Sequence, residues 1–181
     1  SGRCIQKSYE NGTDDYFNDV NLRFNHNEQL EADSIQFDDS LKYFTKSGRT
    51  VYGGGGIMPD IFVPLDTARN SEYFRRMRRK GLIYSFAYTW TDNNRDTLSK
   101  FSSWEEINEY LEKQNIIVEF VDYASDKGIP EDPEGLASSG EVMNNQLKAY
   151  IARNILGEEG FYPIIKEIDK TLLRAIEITQ Q

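Results

Sequence analysis

The spacing of apolar residues changes part-way along this chain. Up to Asp66 they occur in short β-branched or aromatic clusters separated by turn residues, and beyond it they recur at helical intervals. Ser1 to Lys7 (SGRCIQK) reads as a short strand, with Cys4 and Gln6 on one side and Ile5 on the other. Asn11-Gly12 marks a turn, and Asp14 to Phe24 predicts a helix with Phe17, Val20 and Phe24 on one stripe. Asn25-His26-Asn27 is polar and turn-like, and Glu28 to Ser40 is an acidic, weakly patterned surface connection. Tyr43-Phe44-Thr45 and Thr50-Val51-Tyr52 flank Ser47-Gly48, which predicts a β-hairpin. The four glycines Gly53 to Gly56 then predict a corner, because so costly a run in chain entropy implies backbone shapes closed to other residues. Ile61-Phe62-Val63, closed by Pro64, reads as a further strand.

The second part reads as helices. Ser71 to Lys80 places Tyr73, Phe74 and Met77 on one face and Arg75, Arg76, Arg79 and Lys80 largely opposite. Leu82 to Trp90, dense in aromatics, reads as a buried helix set off near Gly81, with a strand as the alternative. Ser103 and Glu106 form a capping box before Trp104, Ile107 and Leu111. Ile116 to Ala124 is ambiguous in composition, but Gly128 and Pro130 resemble a helix end, so a helix is predicted there. Ile129 to Gly135 (IPEDPEG) reads as a loop. A second capping box, Ser138 with Glu141, is expected to open a helix that Gly157 ends, with Met143, Leu147, Tyr150, Ile151 and Ile155 on its core side. Phe161, Ile164, Ile165, Ile168, Leu172, Ala175 and Ile176 form the most regular ladder and predict one final helix. The fold class is α+β, with a few short strands in the first third (hairpin plus glycine corner) followed by a mainly α-helical layer. So few short strands leave edges to be paired, within the chain or by a second copy at Cys4 to Lys7.

Composition narrows the function classes. The chain has 181 residues, enough for one domain with a real core or two small ones. Hydrophobic residues make up 38% and aromatics 13%, a folding composition. No apolar run approaches the length of a membrane span. The net charge of -9 argues against a nucleic-acid partner, since phosphate backbones attract basic faces. Cys4, the single cysteine, has no internal disulfide partner.

Candidate chemistry is sparse. A P-loop needs Gly-Lys-Ser/Thr after its glycines, and Ile57-Met58-Pro59 follows here, so a structural corner is preferred to a phosphate cradle at Gly53 to Gly56. His26, the only histidine, reads as a solvated surface residue, and no Ser-x-x-Lys occurs. One histidine and one cysteine do not make a zinc site of the usual type. Asp92, Asn94 and Asp96 copy the opening of a calcium loop, but Thr97 and Ser103 replace its glycine and glutamate, leaving a helix-entry turn. The basic run Arg75 to Lys80 reads as a solvated face pairing with neighbouring carboxylates. Asp14-Asp15 and Asp38-Asp39 lie in polar surroundings and receive no acid/base role. No catalytic, cofactor-binding or metal-binding residue is assigned, and no cofactor is expected.

Ser1-Gly2-Arg3-Cys4-Ile5-Gln6 and the longer Gly48-Arg49-Thr50-Val51-Tyr52-Gly53-Gly54-Gly55-Gly56-Ile57-Met58-Pro59-Asp60 resemble the carboxyl-terminal processing (tail-specific) serine peptidases, in the branch of Bacteroidetes-type bacteria. Phe86-Ala87-Tyr88, Asn94-Arg95 and Ala149 to Arg153 look similar too, so the likeness covers most of the chain. It implies a serine endopeptidase whose lysine, its pKa lowered by burial, is general base for the serine. It also implies a PDZ domain that captures a protein or peptide substrate by strand addition, and an exported, periplasmic or envelope-associated enzyme. The family's serine, lysine and PDZ domain precede its SGR-x-IQ segment, and their motifs are absent here. The expectation is therefore a C-terminal portion of such a peptidase, inactive alone. Residues 1–66 would be the strand-rich end of the peptidase core, with SGRCIQ supporting the active-site sheet, and 67–181 the helical C-terminal region. The alternative is a non-catalytic module whose aromatic helices bind a partner or the parent's PDZ domain; those aromatics read more simply as core.

Overall fold

A computed structural model describes residues 2–180. Ser1, at the head of the expected opening strand, and the side chain of Val20, on the expected helical stripe, lie outside the described residues. The chain divides into two compact units, Ser1–Leu65 and Asp66–Gln181.

The first unit begins with an extended segment leading to helix α1, Thr13–Asn25, which has Asp14 and Asp15 in its first turn, where the helix dipole favours negative charge. Lys7 ties the segment to α1 through Asp15 at 3.1 Å and Asp19 at 3.2 Å. The helix forms as predicted, but its apolar stripe is not a core face: Phe17 and Phe24 are exposed. A helical stripe is buried only where a second apolar layer meets it. Here α1 packs instead through Tyr16, stacked on Tyr9 at 4.1 Å, and through Arg23, which holds the buried Glu28 at 2.7 Å.

Strands β1, Lys42–Phe44, and β2, Thr50–Tyr52, form the predicted antiparallel hairpin, with Tyr43 opposite Val51. Gly48 takes φ 82°, a left-handed conformation that glycine adopts without strain. Two expected strands do not form. Cys4 and Ile5 do pair within the chain, accepting the Gly54 and Gly56 N–H groups at 2.9 and 2.8 Å. Adjacent residues of a regular strand face opposite neighbours, so two successive acceptors on one side break the ladder pattern. Ile61 to Val63 is also irregular: Pro59 and Pro64 remove donors on either side, and the chain is fixed instead where Leu65 N–H meets the Gln29 carbonyl at 2.9 Å.

In the second unit, α2 (Glu72–Arg79), α3 (Leu82–Asn93), α4 (Arg95–Leu98), α5 (Trp104–Glu112) and α6 (Ile116–Asp126) precede the 24-residue α7 (Pro133–Leu156). Helices α8 (Glu158–Ile165) and α9 (Lys170–Thr179) follow. Met143, Leu147, Ile151 and Ala152 of α7 are fully buried. Tyr73 and Met77 of α2, Phe86 of α3, Ile107 of α5, Phe120 of α6 and Ile164 of α8 belong to the same core. Burying each large side chain contributes about 1.5–3 kcal/mol.

The predicted face of α2 holds, and α3 forms as a helix rather than a strand but is buried on one side only, with Gly81 in the left-handed conformation between the two. Helix α6, the ambiguous stretch, ends in a Schellman motif in which Ile129 N–H bonds the Ala124 carbonyl and Gly128 N–H the Ser125 carbonyl. At α5 the Ser103 hydroxyl accepts from Glu106 N–H, but the Glu106 carboxylate takes the Ser102 N–H at 2.8 Å rather than that of Ser103.

Two helix boundaries correct the sequence reading. Helix α7 opens at Pro133, not at Ser138, because the Asp132 carboxylate accepts Gly135 N–H at 3.0 Å and proline fits the first turn. Ser138 donates to the Ala68 carbonyl at 2.7 Å instead of capping. The single final helix is divided: α8 ends in a 3-10 turn, Lys166–Ile168, and Asp169 starts α9 by accepting Leu172 N–H at 2.9 Å. Pro163 also leaves the Glu159 carbonyl without its usual i+4 donor. No residue of α9 is buried. Lys170, at its start, lies 2.8 Å from Asp66, which also accepts from Arg69 at 2.6 Å. Lys170 first and Arg69 second bring the Asp66 carboxyl down to about 2.

Candidate functional site

The glycine corner is crowded at its first two residues, Gly53 and Gly54. A Cβ on Gly53 would lie 2.9 Å from the Cys4 carbonyl oxygen, and one on Gly54 2.7 Å from a Leu41 methyl. Only glycine allows so close an approach. Gly53 N–H bonds the Leu41 carbonyl at 2.9 Å, extending the hairpin by one pair. Arg3 donates to the Tyr52 carbonyl at 2.7 Å, Phe37 stacks on Tyr52 at 4.4 Å, and Arg23 donates to the Gly55 carbonyl at 3.1 Å. Arg49 pairs with Asp60 just beyond the corner. Arg3, Cys4 and Ile5 and the four-glycine run, about fifty residues apart in sequence, therefore lie against one another.

This arrangement has a chemical consequence for the corner. A phosphate cradle presents successive free N–H groups to its anion. At Gly53, Gly54 and Gly56 those groups are already bonded to carbonyls of the chain. The corner is built to hold backbone against backbone.

The other candidates do not converge on one another. The Ser47 hydroxyl lies 2.9 Å from that of Thr45 in the hairpin turn, and Lys46 is exposed beside it. His26 is exposed at the end of α1. Asp38 accepts from both the hydroxyl and the N–H of Ser40, which lowers its pKa as any well-bonded turn carboxylate would be lowered. At the α3–α4 junction, Asp92 pairs with Arg95 at 3.3 Å while Asn94 donates to the Trp90 carbonyl at 2.9 Å, so two of the calcium-like triplet are spent on local contacts. Among the described residues no cluster of three or more metal-binding side chains is gathered.

Sequence reasoning missed two polar features of the helical unit. Lys148 is buried on α7 and reaches the more exposed Glu112 of α5. Ser139 donates to the Ser71 hydroxyl at 2.9 Å and accepts Ser71 N–H at 2.9 Å, fastening the start of α2 to α7. Lysine and serine at these positions carry no helical-period signal that separates core from surface. The aromatic run of α3 is also mixed: Phe86 and Trp90 are core, whereas Tyr84 and Tyr88 are exposed. The Trp90 indole donates to Glu119 of α6 at 2.9 Å.

The basic run of α2 is exposed as expected, and is paired with carboxylates only in part. Glu72 takes Arg75 at 2.7 Å and also Arg79, while Arg76, Arg78 and Lys80 are in no ion pair among the described residues. Arg78 instead lies over the Phe74 ring at 5.5 Å, and Lys80 donates to the Lys127 carbonyl at 3.0 Å.

Residues 73–157, from α2 to the end of α7, match the model of a family of unknown function (DUF8443). No curated protein and no solved structure matches this chain.

Proposed function

We propose that this chain is the C-terminal portion of a serine endopeptidase of the carboxyl-terminal processing type, acting as scaffold, with its Ser/Lys dyad upstream of these residues. The observation that carries the reading is the meeting of the two resembling strings. Arg3 to Ile5 lie along the glycine corner, with Cys4 and Ile5 accepting from Gly54 and Gly56. An irregular segment bonded to a corner crowded at Gly53 and Gly54 is the contact on which we rest the reading of a scaffold beside a catalytic sheet. On this reading the enzyme is exported and takes a protein or peptide substrate through its PDZ domain.

The test is a cleavage assay on peptides with free C-termini, run on this chain and on the reading frame extended upstream. The extended polypeptide is expected to cleave and to be stopped by serine-directed inhibitors, while this chain does not. Inhibitor-sensitive cleavage by the 181 residues alone would refute the scaffold role, and an inert extended polypeptide would refute the peptidase.

A second reading, a non-catalytic helical interaction module, is favoured by exposed Tyr84 and Tyr88 on α3. Replacing both with serine would then abolish partner capture without lowering stability.

A further inference from the structure

We propose that the solvent face of α2 is a docking surface for a short acidic peptide segment of a partner protein. Arg75, Arg76, Arg78, Arg79 and Lys80 are all exposed, and the opposite face, Tyr73, Phe74 and Met77, is buried. Lys127 lies beside them, its carbonyl accepting from Lys80. Five cations on an eight-residue helix and its cap meet one carboxylate within the helix, Glu72, which Arg75 and Arg79 share. Glu72 bridges Arg75 and Arg79, whereas Arg76 and Lys80 are like-charged neighbours one turn apart with no carboxylate between them among the described residues, an arrangement that weakens a helix unless an anion lies across it. The helix dipole favours the cations of the last turn and cap, Arg76, Arg78, Arg79 and Lys80, but gives Arg76, Arg78 and Lys80 no carboxylate partner.

The chemistry and size of the face select the occupant. Arginine's planar fork suits carboxylate or phosphate, so charge type alone leaves both open. An eight-residue helix is about 12 Å long, which matches four extended residues of a peptide. A nucleic acid or an anionic bilayer is a much larger polyanion and would also meet the rest of a chain whose net charge is -9. The buried apolar face further leaves α2 nothing to insert into lipid. An acidic peptide engages the cations without bringing its charge against the remaining surface. This surface is independent of the peptidase reading, since it uses no residue of the glycine corner.

Fluorescence anisotropy with a labelled hexaglutamate peptide tests the proposal on the full chain at low and physiological salt. Binding is expected to weaken with salt, and to weaken about tenfold or more in R76E/R78E. The neutral pair R76Q/R78Q is expected to fall between, and K46E/K100E, with the same change in net charge at exposed positions elsewhere, to bind as wild type. Circular dichroism establishes that each variant is folded. Equal weakening in K46E/K100E, no weakening in R76E/R78E, or tighter binding of a single-stranded oligonucleotide or phosphatidylserine vesicles than of hexaglutamate would each overturn it.

Discussion

The two units of this chain hold their shape by different means. In Asp66–Gln181 helices surround α7, and every buried hydrophobic side chain among the described residues lies here, from Tyr73 to Ile164. In Ser1–Leu65 the one buried residue among those described is Glu28, held by Arg23, while Phe17, Phe24, Phe44 and Ile57 are exposed. Order in the first unit comes from backbone bonds at the glycine corner, a three-pair hairpin and arginines on carbonyls. Hydrogen bonds contribute about 1 kcal/mol net each, less than burial of one large apolar side chain. The helical unit is thus held by an apolar core, and the first unit by backbone and polar contacts.

Core truncation sets the largest contrast. Leu147→Ala on α7 is expected to cost about 2–5 kcal/mol in urea unfolding, because the site is fully enclosed. Phe44→Ala, at an exposed hairpin position, is expected to cost under about 1 kcal/mol. Equal losses would erase the distinction between the units.

A smaller effect separates them by pH. The Asp66 carboxyl is lowered from 3.8 to about 2, so the folded state favours its ionised form. Its contribution is complete above the unfolded value and disappears as pH falls through about 2. Asp66→Asn should therefore cost on the order of 1–2 kcal/mol at pH 7, with the gap to wild type closing during acid titration between about pH 4 and 2. A gap that persists at pH 2 would show that the pairs with Lys170 and Arg69 are not its source.

The smallest difference concerns the start of α7. Asp132→Ala should cost about 1 kcal/mol through the lost cap, and Ser138→Ala, which removes an exposed bond to the Ala68 carbonyl, clearly less. The reverse order would restore Ser138 as the helix start.

Much of the helical unit was legible because local and global signals agree there. Tyr73, Phe74 and Met77 carry both the period and the burial of α2, and Gly128 both stops α6 and takes the left-handed cap. At the start of α7 two signals compete: Ser138 with Glu141 has the form of a capping box, yet Asp132-Pro133 lies earlier and begins the helix first. The Phe161-to-Ile176 ladder preserves its spacing across the break at Asp169, so periodicity alone did not reveal two helices. In the first unit, patterning predicted α1 but not the exposure of its stripe, since burial depends on a facing layer that no single segment encodes. The contact of Cys4 and Ile5 with the glycine corner is invisible in the sequence for the same reason, being a meeting of distant backbone rather than a pattern of side chains.

A fluorophosphonate probe with mapping of the labelled peptide reads the location of the nucleophile directly. Applied to the polypeptide extended upstream, it is expected to mark a serine preceding Gly2 and none within residues 2–180, with labelling abolished when the upstream lysine is replaced by alanine. Label on a serine of this chain, such as Ser47 or Ser71, would contradict the account, and so would an extended polypeptide that takes up no label.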